Sequence, residues 1–258
     1  MYIVKSCHSG FNPLNGRTIR IGSIDEYRQT EIEEIADEGE ATFGFTVDLK
    51  NADIPMALFE ALQSGAGMLN DTEITMWSGM RQSSVIKGGM HIGQMKSRHL
   101  WHGRNCLAFC MSRLNAHEEA STLFESYDDY WYFEESCLEQ IGELIRQQVE
   151  SKLRQDMLES GNPKSLSRLE KFTCQLKVQQ VIYSTRHVEI SNFNPEARSP
   201  GFLDKLFNNY RYLKPQQFSH EKEIRFLFEC FDDGELIFPE FKSLIIDATP
   251  VVKFIKRK

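Results

Sequence analysis

Alternation of apolar and polar residues dominates both ends of the chain and predicts strands there. The predicted strands are 18–23, 41–49, 105–112, 127–135, 174–184, 223–230 and 243–248. Between them, apolar residues recur at steps of three and four from Glu134 to about Ser160, which indicates a long amphipathic helix. The sequence Gly161-Asn162-Pro163 predicts the end of that helix. Shorter helices are expected at 56–63, 165–172 and 202–213. Strands, then helices, then strands predict an α+β fold with an antiparallel or mixed sheet and a central helical section.

The length of 258 residues suits one large domain or two small ones. Because no linker or repeat interrupts the chain, we expect a single domain over 1–258. Segment 62–103 is rich in glycine, serine and methionine. It is predicted to be a mobile insertion or a covering loop, or else a pair of short strands with long turns.

Composition and charge narrow the classes of protein. Apolar residues make up 41% and charged residues 26%, which is typical of a globular protein. The net charge of −7 argues against a dedicated nucleic-acid binder, although a local basic patch would still permit brief contact. The first residues lack a signal peptide, and no window approaches a membrane helix. We therefore expect a cytoplasmic protein that does not bind membranes.

The cysteines are expected to be reduced and structural. His102, Cys106 and Cys110 follow one another at steps of four, which raises the possibility of zinc. Structural zinc sites instead use closely paired ligands and need a fourth one. The spacing therefore predicts small buried thiols and no metal.

The stretch FSHEKEIRFLFEC, residues 218–230, contains the main candidate site. In a strand, one face would carry apolar side chains, and the other would carry Glu221, Glu223 and Arg225. That second face is either the solvated side of an antiparallel sheet or the wall of a cleft. In a cleft, two nearby carboxylates repel each other, and an arginine would hold one of them ionised. Such a pair suits glycosidic chemistry, where one carboxylate stabilises an oxocarbenium ion and the other removes a proton.

A second cluster lies in the acidic segment 18–45. Tyr27 and Arg28 interrupt a run of acids, and Arg20 precedes it. The segment is either a charged loop between strands or a place where Arg20 or Arg28 clamps the phosphates of a dinucleotide.

Two resemblances add to this interpretation. EKEIRFLF is similar to the E-x-E motif of ADP-ribosyltransferases, in which the second glutamate serves the nicotinamide ribose and the first serves the acceptor. In those enzymes a strand ending in serine or threonine supports the nicotinamide pocket, which adds Ser112. Most of the chain loosely resembles an uncharacterised bacterial domain-of-unknown-function family of defence islands and mobile elements. The stretches that carry this resemblance are IRIGSIDEYRQTEIEEIADEGE, NCLAFCMSRLN, YDDYWYFEES, VIYS and LKPQQFSHEKEIRFLFE. The turn Ala36-Asp37-Glu38-Gly39 and the segment 62–103 depart from that family's pattern.

The resemblance to ADP-ribosyltransferases implies an NAD-dependent ADP-ribosyltransferase-like or NAD-cleaving enzyme. The resemblance to the defence-island family implies that it acts as a defence or toxin effector. NAD would be its substrate, and an unidentified protein or nucleic acid its acceptor. Glu223 would be the catalytic carboxylate, Glu221 its acceptor-side partner, and Arg225 would tune the pair. The residues left for binding phosphates or nicotinamide are Arg20, Tyr27, Arg28 and Ser112.

Two alternatives stay open. One is a magnesium-dependent nuclease, whose ligands would be Asp37, Glu38, Glu40 and the pair Glu221 and Glu223. The other is a non-enzymatic sensor or protein-interaction module, in which EKEIR is a salt-bridged strand. The sequence leaves the oligomeric state open.

Overall fold

The computed structural model describes residues 1–30, 37–63, 72–199, 201 and 208–258. Strands alternate with helices along the chain and give the α+β class predicted from the sequence. The strands are β1 (Tyr2–Cys7), β2 (Thr18–Ser23), β3 (Thr42–Pro55), β4 (Thr72–Ile86), β5 (Gly89–Gly103), β6 (Leu107–Leu114), β7 (Asp129–Glu134), β8 (Phe172–Gln180), β9 (Ile182–Tyr183), β10 (His187–Ser191), β11 (Leu213–Lys214), β12 (Glu223–Asp232), β13 (Glu235–Ile237), β14 (Ser243–Asp247) and β15 (Lys256–Arg257).

The helices are fewer and mostly short. The α-helices are α1 (Pro13–Gly16), α2 (Ile24–Gln29), α3 (Met56–Gln63), α4 (Leu138–Ser160), α5 (Pro163–Arg168) and α6 (Thr249–Val252). Short 3-10 helices lie at Ser9–Phe11, His117–Thr122, Glu135–Cys137, Glu196–Arg198, Tyr210–Tyr212 and Gln216–Glu221. No helix in the described part of the chain is both long and apolar enough to cross a membrane.

The chain separates into two compact units, each made of more than one segment. Unit 1 comprises Met1–Glu38, Asn105–Val181 and Gln217–Lys258. Unit 2 comprises Gly39–Arg104 and Ile182–Gln216.

Unit 1 is built on one nine-stranded sheet in which every pairing is antiparallel. Its main path runs β13-β12-β6-β1-β7-β15, with β2 and β14 joined through β6 and β8 joined through β12. The strand β12 therefore has partners on both sides, since β8 runs along one side while β6 and β13 share the other. This central position fixes the direction of every side chain on β12.

The core of unit 1 lies between this sheet and α4. Alternate residues of β12 point into it, as the sequence predicts: Ile224, Phe226, Phe228 and Cys230. The inward face of α4 supplies Ile141, Ile145, Val149 and Leu153. Gly142 allows the close approach, because a Cβ there would lie 3.0 Å from Leu176 Cδ2 on β8. A smaller aromatic cluster on Tyr130 and Tyr132 packs separately, with Val4 and Leu114.

The end of α4 follows the turn signal in the sequence. Gly161 caps the helix with a φ of 60°, a left-handed conformation that glycine adopts at little cost. Asn162 then caps α5 by accepting the backbone N–H of Lys164, and Pro163 takes the first position of that helix. The second helix is thus shorter than predicted, and Phe172 already begins β8.

Unit 2 is a smaller, mixed α+β structure. Its four-stranded sheet has the order β10-β3-β5-β4, in which β10 and β3 are parallel and the other pairs antiparallel. Strands β11 and β9 form a short parallel pair. Most of the described part of segment 62–103 forms two 15-residue strands joined by a tight turn at Lys87-Gly88. One of our predictions for this segment was a pair of short strands with long turns, and the observed strands are longer and their turn is shorter.

Some predicted features fall on residues that are not described. Residues 31–36 belong to the acidic segment, and 64–71 to segment 62–103. Residues 202–207, the first half of the helix predicted at 202–213, also lie outside the described residues, and the chain after them forms a 3-10 helix at Tyr210–Tyr212.

A buried histidine makes unit 2 sensitive to acid. His99 is fully buried, and its ring stacks on Phe45 with a centroid separation of 4.5 Å. Burial lowers the pKa of His99 to about 4. Since the unfolded histidine titrates near 6.5, the unfolded state binds the extra proton first as the pH falls. This contribution to stability is therefore complete above about pH 6.5 and is lost as the pH falls towards 4.

We predict that His99→Phe removes part of this pH dependence. The phenylalanine keeps an aromatic ring in the stack and cannot be protonated. Between pH 7 and pH 4.5, wild type should lose about 2 kcal/mol more unfolding free energy than the variant. Urea unfolding at both pH values measures the difference, and equal losses in the two proteins would contradict the assignment to His99.

Candidate functional site

The candidate site lies on β12, on the face opposite α4. In the register with β6, Glu223 stands opposite Ser112 and Arg225 opposite Cys110. On the other side of β12, Arg225 stands opposite Gln179 of β8. Polar side chains from adjacent strands are thus brought together in the middle of the sheet.

Glu223 and Arg225 form a buried ion pair. Arg225 donates from both Nε and Nη2 to Glu223 Oε1, and each distance is 2.8 Å. Glu223 is only 3% exposed and Arg225 only 1%. A charge taken out of water at this depth is tolerated only when an opposite charge and hydrogen bonds replace its hydration. Each of the two side chains therefore depends on the other.

Cys110 and Tyr27 lie beside this pair. Burial, followed by the nearby Glu223 carboxylate, raises the pKa of Cys110 to about 12. Burial, followed by the effects of Cys110 and Glu223, raises the pKa of Tyr27 well above its usual range. Both groups therefore keep their protons at neutral pH.

A glycine makes room for Tyr27. The β2 residue Gly22 pairs with Ala108 of β6, so β2 borders the strand that carries Cys110. A Cβ at Gly22 would lie 2.8 Å from Glu26 Oε2 and 3.2 Å from the Tyr27 hydroxyl oxygen. The helix α2 that carries Tyr27 starts directly after β2, where Ser23 caps it by accepting the N–H of Glu26. The absence of a side chain at position 22 therefore allows Tyr27 to reach the sheet.

The structure brings some of the sequence-predicted residues together. Tyr27, Ser112, Glu223 and Arg225 share the arrangement just described. The two arginines proposed to clamp phosphates instead bond acids of their own segment: Arg20 pairs with Glu26, and Arg28 Nη1 donates to Asp25 Oδ1 at 3.0 Å.

Glu221 does not lie on the strand, contrary to the alternation assumed from the sequence. It is a buried residue at the end of the 3-10 helix Gln216–Glu221, and β12 begins two residues later. Between them, Lys222 adopts a left-handed conformation with a φ of 48°, which interrupts the extended backbone. The two-residue alternation of side chains along β12 therefore does not extend from Glu223 back to Glu221.

The sequence interpretation missed Cys110 and Glu229 as members of this face. Cys110 lies two residues before Ser112 on β6, so strand alternation alone could have placed it there. The same alternation continues along β12 to Glu229, which accepts an ion pair from Lys177 Nζ at 2.8 Å. Lys177 lies on the paired strand β8 and is more than half exposed, so the cation of this second pair is open to water, whereas Glu229 itself is buried.

No group of three or more histidine, cysteine, aspartate or glutamate side chains among the described residues is arranged to hold a metal ion. Of the ligands proposed for a magnesium site, Glu40 Oε1 accepts the backbone N–H of Ala41, and its Oε2 lies 3.9 Å from Arg186. The nuclease alternative stays a prediction.

Comparisons of the chain with protein-family models, with curated proteins and with solved structures gave no match. The resemblance to a defence-associated family and to ADP-ribosyltransferases therefore stays a prediction from short motifs.

We predict that Glu223→Gln destabilises the protein by about 3 kcal/mol, since it neutralises the buried carboxylate to which Arg225 donates at 2.8 Å. Glu229→Gln is the matched control on the same face of the same strand. Glu229 is buried as well, but its partner Lys177 remains hydrated when the carboxylate is neutralised, so the cost should be smaller, about 1 kcal/mol. Urea unfolding of the three proteins at pH 7 measures both costs. A Glu223→Gln variant as stable as wild type would show that the buried pair does not support the fold.

Proposed function

We propose that the chain carries an NAD-cleaving or ADP-ribosyltransferase-like site centred on Glu223. The observation that supports it is the carboxylate itself, which Arg225 holds through two 2.8 Å contacts beside Cys110 and Tyr27. A carboxylate that is ionised and held in a fixed position is suited to stabilising positive charge that develops close by.

In the proposed reaction, the bond between the anomeric carbon of the ribose and the nicotinamide nitrogen breaks. Its electron pair leaves with nicotinamide, which becomes neutral, and the ribose develops oxocarbenium character. Glu223 stabilises that cation. Water or an acceptor side chain then bonds to the anomeric carbon and gives up a proton, for which Glu221 is the proposed base.

The remaining predicted residues take binding roles in this proposal. Tyr27 and Ser112 would line the nicotinamide end. Arg20 and Arg28 would bind the phosphates, which requires each of them to exchange its present acidic partner for the ligand. The acceptor is an unidentified protein or nucleic acid, and the role of a defence or toxin effector is proposed on the family resemblance.

The burial of the ion pair favours a second candidate, a non-enzymatic interaction module. Glu223 and Arg225 are almost fully buried, so NAD reaches them only if the side chains covering them move. A structural pair inside an interaction module needs no such movement. The two candidates therefore differ in whether Glu223 is ever exposed to substrate.

A nicotinamide-release assay tests the first candidate. We predict that wild type releases nicotinamide from NAD, alone or with cell extract as the source of acceptor, and that Glu223→Gln loses at least about 100-fold in rate. Glu229→Gln should stay within about threefold of wild type, because its carboxylate bonds Lys177 and takes no part in the reaction. All rates are measured at a temperature where circular dichroism shows each protein folded.

Two results would contradict the enzymatic proposal. One is a folded wild-type protein that neither releases nicotinamide nor transfers label from radiolabelled NAD. The other is a folded Glu223→Gln variant with undiminished activity. Either result favours the interaction module.

A further inference from the structure

Strand β8 is an edge of the unit 1 sheet. Among the described residues its only strand partner is β12, along the register from Gln180 opposite Ile224 to Phe172 opposite Asp232. In an antiparallel pair, alternate residues direct their N–H and C=O groups towards the partner or away from it. The N–H of Val181 donates to the carbonyl of Glu223 at 2.9 Å, in the same register. The even-numbered residues of β8 therefore direct their backbone groups away from the sheet.

Helix α4 protects the first half of this edge. Arg146 Nη1 donates to the carbonyl of Cys174 at 2.9 Å, and Arg154 donates to the carbonyl of Phe172. Both carbonyls belong to even-numbered residues, which agrees with the direction derived from Val181. Covering outward-facing backbone groups is a common way to prevent an edge strand from pairing with another chain.

The second half of the edge has no such cover. The outward N–H and C=O groups of Leu176, Val178 and Gln180 make no hydrogen bond to any other residue that the structure describes. These three residues offer alternating donors and acceptors along roughly 13 Å of strand.

A cleft of about 510 Å³ adjoins this open half. It lies between the first half of α4 and the second half of β8. Its floor is apolar and consists of Leu138, Leu176, Val178 and Ile224. Open backbone groups beside an apolar floor are what an added strand needs, since the backbone supplies hydrogen bonds and the floor accepts alternate side chains.

The charge around the cleft selects the kind of partner. Its two arginines are already paired, Arg113 with Glu135 at 2.6 Å and Arg146 with Glu143 at 2.7 Å. The third acid, Glu139, is exposed and has no ion-pair partner among the described residues. The cleft is therefore net negative. A second copy of this chain would place two such acidic rims side by side, whereas a basic partner would be attracted.

We propose that the cleft between α4 and β8 binds an extended, basic and apolar peptide segment of another protein, which adds to the sheet as a strand beside Leu176–Gln180. Apolar side chains of the peptide occupy the floor, and a lysine or arginine pairs with Glu139. The proposal does not depend on the chemistry proposed at Glu223, because none of the residues that would bind the peptide takes a role in that chemistry.

The first test selects peptides directly. Randomised heptapeptides displayed on phage are panned against the full chain, and an enriched peptide is synthesised with a fluorescent label. We predict sequences in which apolar residues alternate and at least one lysine or arginine is present. Anisotropy then gives the affinity for each variant.

The variants separate strand addition from other binding. Val178→Pro removes an outward N–H without touching a bond to β12, and Val178→Thr is the matched control that keeps the N–H and the side-chain shape. We predict at least about tenfold weaker binding to Val178→Pro and a change within about threefold for Val178→Thr. Glu139→Lys, on an exposed position of α4, should weaken binding about fivefold at low salt.

A residue-resolved measurement keeps the test valid even if Val178→Pro fails to fold. On addition of the synthetic peptide to wild type, amide exchange at Leu176, Val178 and Gln180 should slow at least about tenfold. Unchanged exchange at these residues would overturn the proposal. So would equal binding to wild type and a folded Val178→Pro, an acidic consensus, or panning that enriches no peptide. A wild-type dimer that Val178→Pro abolishes would assign the edge to a second copy instead.

Discussion

The arrangement of unit 1 depends on one constraint, namely that its most enclosed strand carries charge. β12 has strand partners along both edges, and its residues from Glu223 to Cys230 are buried, so neither of its faces is open to water. One face satisfies this constraint with apolar side chains that pack against α4. The other face satisfies it with the contacts between Glu223 and Arg225, supported by Cys110 and Tyr27. A buried pair of this kind contributes little net stability by itself, but losing either member is costly, and it therefore also constrains the neighbouring strands.

The same constraint explains how much of the structure could be predicted from the sequence. Alternation placed the apolar face of β12 correctly, because a strand period of two survives wherever the backbone stays extended. It failed at Glu221, since the left-handed Lys222 is a local backbone choice that the pattern of apolar residues does not encode. The end of α4 was predictable because Gly161 and Pro163 act through local backbone geometry. The length of β4 and β5 was not, because their glycines and serines are also typical of loops.

The candidate site was predictable in part for a related reason. The pattern identified Glu223 and Arg225 as neighbours on one face, but their burial depends on which strands lie beside β12, and pairing between distant segments has no local signal. Cys110 shows this most clearly. Its sequence context alone predicts a core thiol, and the pairing of β6 with β12 is needed to place it beside the Glu223 carboxylate.

The division of unit 2 into two chain segments has a consequence for synthesis. Strands β3, β4 and β5 are complete once Gly103 has been made, but β10, which lies beside β3, begins only at His187. The two segments are also joined by Asn192, which bonds the backbone of Lys50 across 142 residues. At usual translation speeds, the synthesis of the residues between Gly103 and His187 lasts on the order of 5 to 15 s. During that time the nascent chain carries β3 as an open edge, so a ribosome-bound chaperone has several seconds in which to shield it from pairing with another nascent chain.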